Sequence, residues 1–385
     1  MKHPALLLPL MTAALLASCG TAPLSAPEAQ GSGASLQALG NDSSMKLAEA
    51  SGRIGAWADG RIGAWATGRI GAWATGLNTS TAPGGTPNTF SENAAAWNLI
   101  RLTEAQALAP NLGRNVVVAV VDTGVDLNHP ALTGHLTDPA TWYDALSQDT
   151  NPSDEPTATS GLYGHGTAVA GLIVQVAPEA RIMPVRALNA DGEGTVASLA
   201  AGIDWAVEHG AQIINVSATS DKDNDLTKAI ARAADRGVYV TLAAGNAGDD
   251  KVAFPARNST KKNTLGQYAI NAGAVNSDAT LASWSNYGNA LELTAPGVAL
   301  ASAIPGGDYA LVSGTSFATP VLSGALALAL GEPYKQSYVG QLALQLGATA
   351  TNINAANSAL TQGKSDGDVL GNGLLNAQAF LQKVR

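Results

Sequence analysis

From Asn93 onward the chain alternates two kinds of apolar pattern. Short unbroken runs at Val116–Val121, Ile182–Leu188, Gln212–Ser217, Val238–Ala243 and Tyr268–Val275 predict strands buried on both faces. Between them, Val196–Glu208 and Leu226–Arg236 repeat their apolar residues at helical spacing. Val321–Leu330 is a further apolar run of helical character, with Pro320 near its start. Strands alternating with helices predict an α/β fold, a doubly wound and mainly parallel sheet flanked by helices, with right-handed crossovers. Ligands of such sheets bind beyond the carboxyl ends of the strands. Asp122 directly follows one of those ends and Asn246 sits just past another.

Upstream of Asn93 the pattern changes. Lys2 and His3 precede an apolar run, Pro4–Leu16, and small residues follow, which reads as an export signal. Its 13 residues fall short of a membrane span, which takes about 20. Leu16-Ala17-Ser18-Cys19-Gly20 has the form of a bacterial lipobox, in which Cys19 would be lipidated and become the new N-terminus; an ordinary signal peptide cleaved further on is the alternative. Two or more acyl chains make a stable anchor. Cys19 is the single cysteine, so no intramolecular disulfide forms.

Residues 20–52 are rich in Ala, Ser, Gly and Pro and read as flexible. An octad repeat follows over 53–76: Arg53-Ile54-Gly55-Ala56-Trp57-Ala58 returns at Arg61–Ala66 and Arg69–Ala74, separated by Asp-Gly or Thr-Gly. Six residues and a two-residue turn signal predict a β-meander. Three of the seven tryptophans lie here, in either a small module that docks on a surface or an expanded spacer without a fixed fold. Residues 78–92 read as a linker. The chain thus divides into 1–19, a signal with lipobox; 20–92, a pro-segment or spacer; and 93–385, one α/β domain with no further domain after it.

Composition narrows the function. Charged residues make up 13% of the 385, against roughly 25% in soluble domains. The formal charge is −9 and no basic run occurs, which excludes nucleic acid as a partner, since phosphate binding needs clustered Lys and Arg.

Three stretches carry the chemistry: Val120-Val121-Asp122-Thr123-Gly124, Gly164-His165-Gly166-Thr167 and Gly314-Thr315-Ser316-Phe317-Ala318-Thr319-Pro320. Ser316 lies at a helix start, beside unpaired N–H groups and the positive end of the dipole. An imidazole suits proton transfer near neutral pH. A carboxylate at a buried strand end is costly unless paired, which marks Asp122 rather than Asp126 in the loop beyond. His129 sits in a His-Pro turn, and His135 and His209 lie in polar, exposed surroundings.

In wording and in the order Asp…His…Ser these stretches resemble the signature blocks of the subtilase family, over about residues 93–385. The resemblance implies a serine endopeptidase: Ser316 the nucleophile, His165 its base, Asp122 the group that fixes the imidazole, and Asn246, in Ala244-Gly245-Asn246, an oxyanion donor. It implies that a peptide or protein substrate lies extended along Leu188–Gly194, including Gly192 and Gly194, and along Ser217, Ala218 and Thr219. Ala244 and Gly245 would line the pocket before the cleaved bond. Ala218-Thr219 departs from the Leu-Gly usual there, so pocket preference stays open. Ala168 and Val321 each replace a common histidine.

No cofactor is implied for the chemistry. Calcium has a weak case: the family's loop after the histidine helix is missing, as Gly171–Pro178 runs straight through. Asp221-Lys222-Asp223-Asn224-Asp225 starts like an EF-hand but has Leu226 for the required Gly and Arg232 for the closing Glu. Asn224 or Asp225 reads instead as a helix cap. Two other functions remain to be weighed: a catalytically silent envelope lipoprotein that uses the fold as a binding scaffold, and an esterase.

Overall fold

The computed structural model describes residues 61–63 and 74–77, as backbone, and 90–154, 162–220, 225–260, 263–365 and 367–385. The export signal, Cys19, the first repeat copy and residues 221–224 lie outside these.

Seven strands form the central sheet: β3 (Val117–Asp122), β4 (Tyr143–Asp144), β5 (Arg181–Arg186), β7 (Ile213–Val216), β8 (Tyr239–Ala243), β9 (Ala269–Val275) and β10 (Leu293–Pro296). Their spatial order is β10-β9-β8-β7-β3-β5-β4, and every pair is parallel. The chain builds outward from β3 to β5 and β4, then resumes on the other flank with β7. The order therefore reverses at β3, so the switch point lies at Asp122. β7 and β8 carry the chain to Ser217 and Asn246 beside it.

Side chains alternate across a strand, and the helices divide accordingly. A Cβ on Gly166 would lie 3.1 Å from the Asp122 Cβ, while one on Gly202 would lie 3.1 Å from Val121 Cγ1. Helix His165–Val176 thus covers one face and helix Val196–Glu208 the other. Helix Asp225–Asp235 packs beside the latter, burying Leu226, Ala229, Ile230, Ala233 and Ala234 in an i, i+3, i+4 stripe. On the first face, helix Thr315–Leu330 lies against His165–Val176, and both are buried through almost their whole length. A Cβ on Gly324 would sit 2.5 Å from Val176 Cβ, so glycine is what lets the two approach.

Two smaller sheets lie outside the main one. β1 (Arg61–Gly63) pairs antiparallel with β6 (Glu193–Thr195), and β11 (Leu300–Ile304), β12 (Asp308–Val312) and β2 (Ala74–Leu77) form an antiparallel trio.

Three expectations are corrected. The described parts of the repeat pair with β6 and β12, not with one another, so the meander does not form there: open sheet edges on the body supply partners that the turn signals cannot foresee. The linker ends before residue 90, because Phe90 is buried edge-on against Tyr309, ring centroids 5.2 Å apart. The last central helix starts at Thr315, leaving Pro320 inside it rather than near its start.

Candidate active site

Asp122 ends β3 and His165 opens its helix. Asp122 Oδ1 accepts the His165 Nδ1 proton at 2.7 Å and the Thr123 N–H at 2.8 Å, with both side chains 0% exposed. A carboxylate only accepts, so Nδ1 carries the hydrogen and Nε2 is the basic nitrogen. The glycine after the histidine makes this contact possible. A Cβ on Gly166 would overlap the Gly124 carbonyl oxygen, so any other residue would push the helix start off the Asp122 turn.

Asp154 secures the same junction, and sequence reasoning missed it. Its carboxylate accepts from Thr123 Oγ1 (2.9 Å) and from Thr167 Oγ1, hydroxyls that follow Asp122 by one residue and His165 by two. Thr123 Oγ1 in turn accepts the Gly166 N–H, and Thr167 Oγ1 the Asp126 N–H. The backbone is tied as well: Val125 donates to Pro152 and Asp154 to Val125. Burial pushes the Asp154 carboxyl up to about 7, although the Thr167 and Thr123 bonds pull it down. The polar loop around Asp154 gave no signal; the available one was indirect, two threonines beside the catalytic candidates whose buried hydroxyls need an acceptor.

Ser316 is the second residue of its helix, so its N–H is among those without an intrahelical acceptor. Its Oγ lies 3.4 Å from the Ser217 carbonyl oxygen. Phe317, the next residue, packs its ring on the His165 imidazole with centroids 5.1 Å apart. Pro320 has no N–H to give the Ser316 carbonyl four residues back, and the Ser217 hydroxyl donates to that carbonyl instead, at 2.8 Å. Asn215 donates to Ser217 Oγ and accepts from Ser323 on the same helix. The ends of β7 and of the serine helix are therefore tied by one buried polar chain.

Asn246 follows β8. Its Oδ1 accepts from both the N–H (2.9 Å) and the hydroxyl (2.8 Å) of Thr315. That pair fixes the amide, with Nδ2 beside Gly314, where a Cβ would be 3.6 Å away. A cavity of about 270 Å³ opens next to it, lined by Gly245, Ala247, Val252, Phe254 and Asn286 among others. Leu188, Gly192, Ser217, Ala218, Thr219, Ala244 and Gly245 are all buried, and Gly194 lies half-buried on β6. The Thr219 hydroxyl is buried without a hydrogen-bond partner among the described residues.

The remaining candidates are structural. His129 Nδ1 accepts the Ala131 N–H, and its Nε2 meets the Asp308 carbonyl at 3.0 Å. Asp126 caps Asn128 and Gly306. His135 and His209 are half-buried rather than exposed; His209 stacks on Trp205, ring centroids 3.8 Å apart. Asp225 opens its helix and pairs with Lys228, so the cap position falls outside the described residues.

Known proteins share the sequence and fold of this domain. The model of the Subtilase family matches residues 113–367. Subtilisin BL of Lederbergia lenta is 35% identical over 294 residues, 74% of this chain and 97% of its own length. An alkaline protease of Shouchella clausii is 34% identical over 302 residues, covering 76% and 71%. The crystal structure of a cold adapted subtilisin-like serine proteinase superposes with a TM-score of 0.55 at 31% identity, over 69% of this chain and 89% of that one. With a parallel sheet whose switch point presents a buried acid–imidazole pair, and with relatives aligned along most of its length, the chain belongs to the subtilase family of serine endopeptidases.

Proposed function

We propose that the chain cleaves peptide bonds through Ser316, His165 and Asp122, with Asn246 as oxyanion donor. The observation that carries this reading is the 2.7 Å bond between Asp122 Oδ1 and His165 Nδ1, wholly out of water. His165 Nε2 takes the Ser316 hydroxyl proton as Oγ attacks the scissile carbonyl, and later returns it to the leaving amine. Asp122 holds the tautomer and steadies the imidazolium. Asn246 Nδ2 and the Ser316 N–H meet the negative oxygen that develops in between. The chemical step calls on no cofactor. The substrate lies extended along Leu188–Gly194 and Ser217–Thr219, with Gly245 at the pocket for the residue before the cleaved bond.

The protein is exported and tethered to the cell envelope by lipid on Cys19, and the segment between that anchor and the folded body is a pro-segment or spacer whose cleavage would release the peptidase domain. Ser316→Ala is expected to lower hydrolysis of a denatured protein on the order of 10⁶-fold, a magnitude known from subtilisin rather than derived from this geometry. Retained hydrolysis would overturn the assignment. Cys19→Ser is expected to move the protein from the membrane to the soluble fraction, and an unchanged distribution removes the anchor.

A further inference from the structure

The repeat, in its described parts, pairs with the body of the enzyme. Its second copy supplies β1, which lies antiparallel on β6 with Arg61 opposite Thr195, Ile62 opposite Gly194 and Gly63 opposite Glu193. The other face of β6 touches the catalytic side of the sheet. A Cβ on Gly194 would lie 2.6 Å from the Ala187 carbonyl, and the N–H groups of Ala187 and Leu188 both donate to the Asp122 carbonyl. β1 passes Thr195 first and Glu193 last, toward the turn at Ala190. The Ala190 carbonyl holds the Leu162 N–H, and the Leu162 carbonyl holds that of His165. The end of the third copy begins β2, whose Ala74 pairs with Val312, four residues before Ser316. One anchor thus adjoins the Asp122–His165 limb of the site and the other the Ser316 limb. Residues 64–73 join them.

We infer that the octad repeat is a tandem ligand of the enzyme's own peptide-binding edge, able to seat on β6 in equivalent registers. Main-chain pairing at a sheet edge provides the contact. A shift by eight residues is even, so it returns every side chain to the same face and the same partners. The copies are identical from Arg to the second Ala, so a copy lost to cleavage or slippage is replaced by its neighbour at the high local concentration of a tether. Connection length limits this exchange. Seating the first copy lengthens the 64–73 connection by one octad. Seating the third leaves only Ala72 and Trp73 before β2, so β2 must detach. Two octads are therefore the minimum for holding both anchors at once.

The inference rests on the peptidase reading for what the edge normally binds, but the pairing is measurable without catalysis. In full-length Ser316→Ala protein, amide hydrogen exchange is followed at Glu193, Gly194 and Thr195 while one, two or all three octads are removed. Removal of 61–68 brings Arg53–Ala58 into the same spacing and is expected to leave protection unchanged. Removal of 53–68 is expected to weaken it, and removal of 53–76 to speed exchange about tenfold or more. The peptide Arg-Ile-Gly-Ala-Trp-Ala-Thr-Gly, added to the last variant, is expected to restore protection. If deletions impair folding, Ile54→Pro with Ile62→Pro and Ile70→Pro keeps the length, removes a donor from each copy, and is expected to expose the same amides. Equal protection with and without the repeats overturns the inference, as does a smooth rather than stepwise response to copy number. Protection that follows the step while the wild-type chain hydrolyses nothing would sink the peptidase reading and leave the pairing standing.

Discussion

At the scale of single residues, Asp154 shows how a site is stiffened from behind. Ionised, it accepts both the Thr123 and Thr167 hydroxyls; protonated, one of its oxygens becomes a donor, so one of those bonds must reverse and that threonine's hydroxyl hydrogen must turn to another acceptor. With its carboxyl pushed by burial to about 7, the charged and more rigid form prevails only above that pH. Asp122 and His165 face it across the junction, and Tyr163 lies near enough to feel its charge. Asp154→Asn is expected to lower kcat about tenfold through looser positioning while KM stays nearly constant. It is also expected to remove from the acid limb of the rate profile the contribution centred near 7. Measuring kcat and KM from about pH 5 to about pH 9 checks this. An unchanged profile with only a lowered melting temperature would reduce Asp154 to a packing role.

At the scale of elements, the serine helix depends on a strand end that is remote in sequence. Pro320 withholds the N–H that the Ser316 carbonyl would otherwise receive, and Ser217 supplies the replacement. Ser217→Ala is expected to cost about 1–3 kcal/mol, the penalty of a buried carbonyl left unsatisfied, and to lower kcat. Adding Pro320→Ala to that variant returns a donor, so the pair is expected to recover part of the loss; strictly additive losses would remove the coupling. The strands themselves were legible: the runs ending at Val121, Ser217 and Ala243 lie within a residue or so of β3, β7 and β8, because buried parallel strands leave little room for polar residues. The Asp122–His165 pair and the Asn246–Thr315 pair fall in stretches that stood out in the sequence because small residues must flank groups packed this tightly, as the Gly166 contact with Gly124 shows. The Pro320–Ser217 exchange was not, since nothing local in either stretch names its partner. The repeat misled for the opposite reason: self-similar strands advertise pairing with each other, whereas β6 and β12 were hidden in unrelated sequence.

For the whole molecule, burial of carboxyls sets an unusual pH response. Burial raises Glu292 to about 7 despite its bonds with Ser259 and Asn271, and Asp154 shifts the same way. The folded chain thus keeps protons that the unfolded chain releases near pH 4. Their stabilisation is complete below the unfolded pKa and is lost as pH rises through about 7. Glu292→Gln is expected to flatten this fall by on the order of 2–3 kcal/mol, read from melting temperatures of the Ser316→Ala chain between about pH 4 and about pH 8. A parallel curve in the variant would show that Glu292 does not titrate in that window.

Helix Thr315–Leu330 has almost no wet surface from its first turn to its last. Fraying from the tip, the usual first response of a helix to warmth, is closed to it, because every turn is gripped by the core. Heat should therefore disable Ser316, the proposed nucleophile, only when the entire domain gives way, so that catalytic failure and loss of the native state arrive together at one temperature.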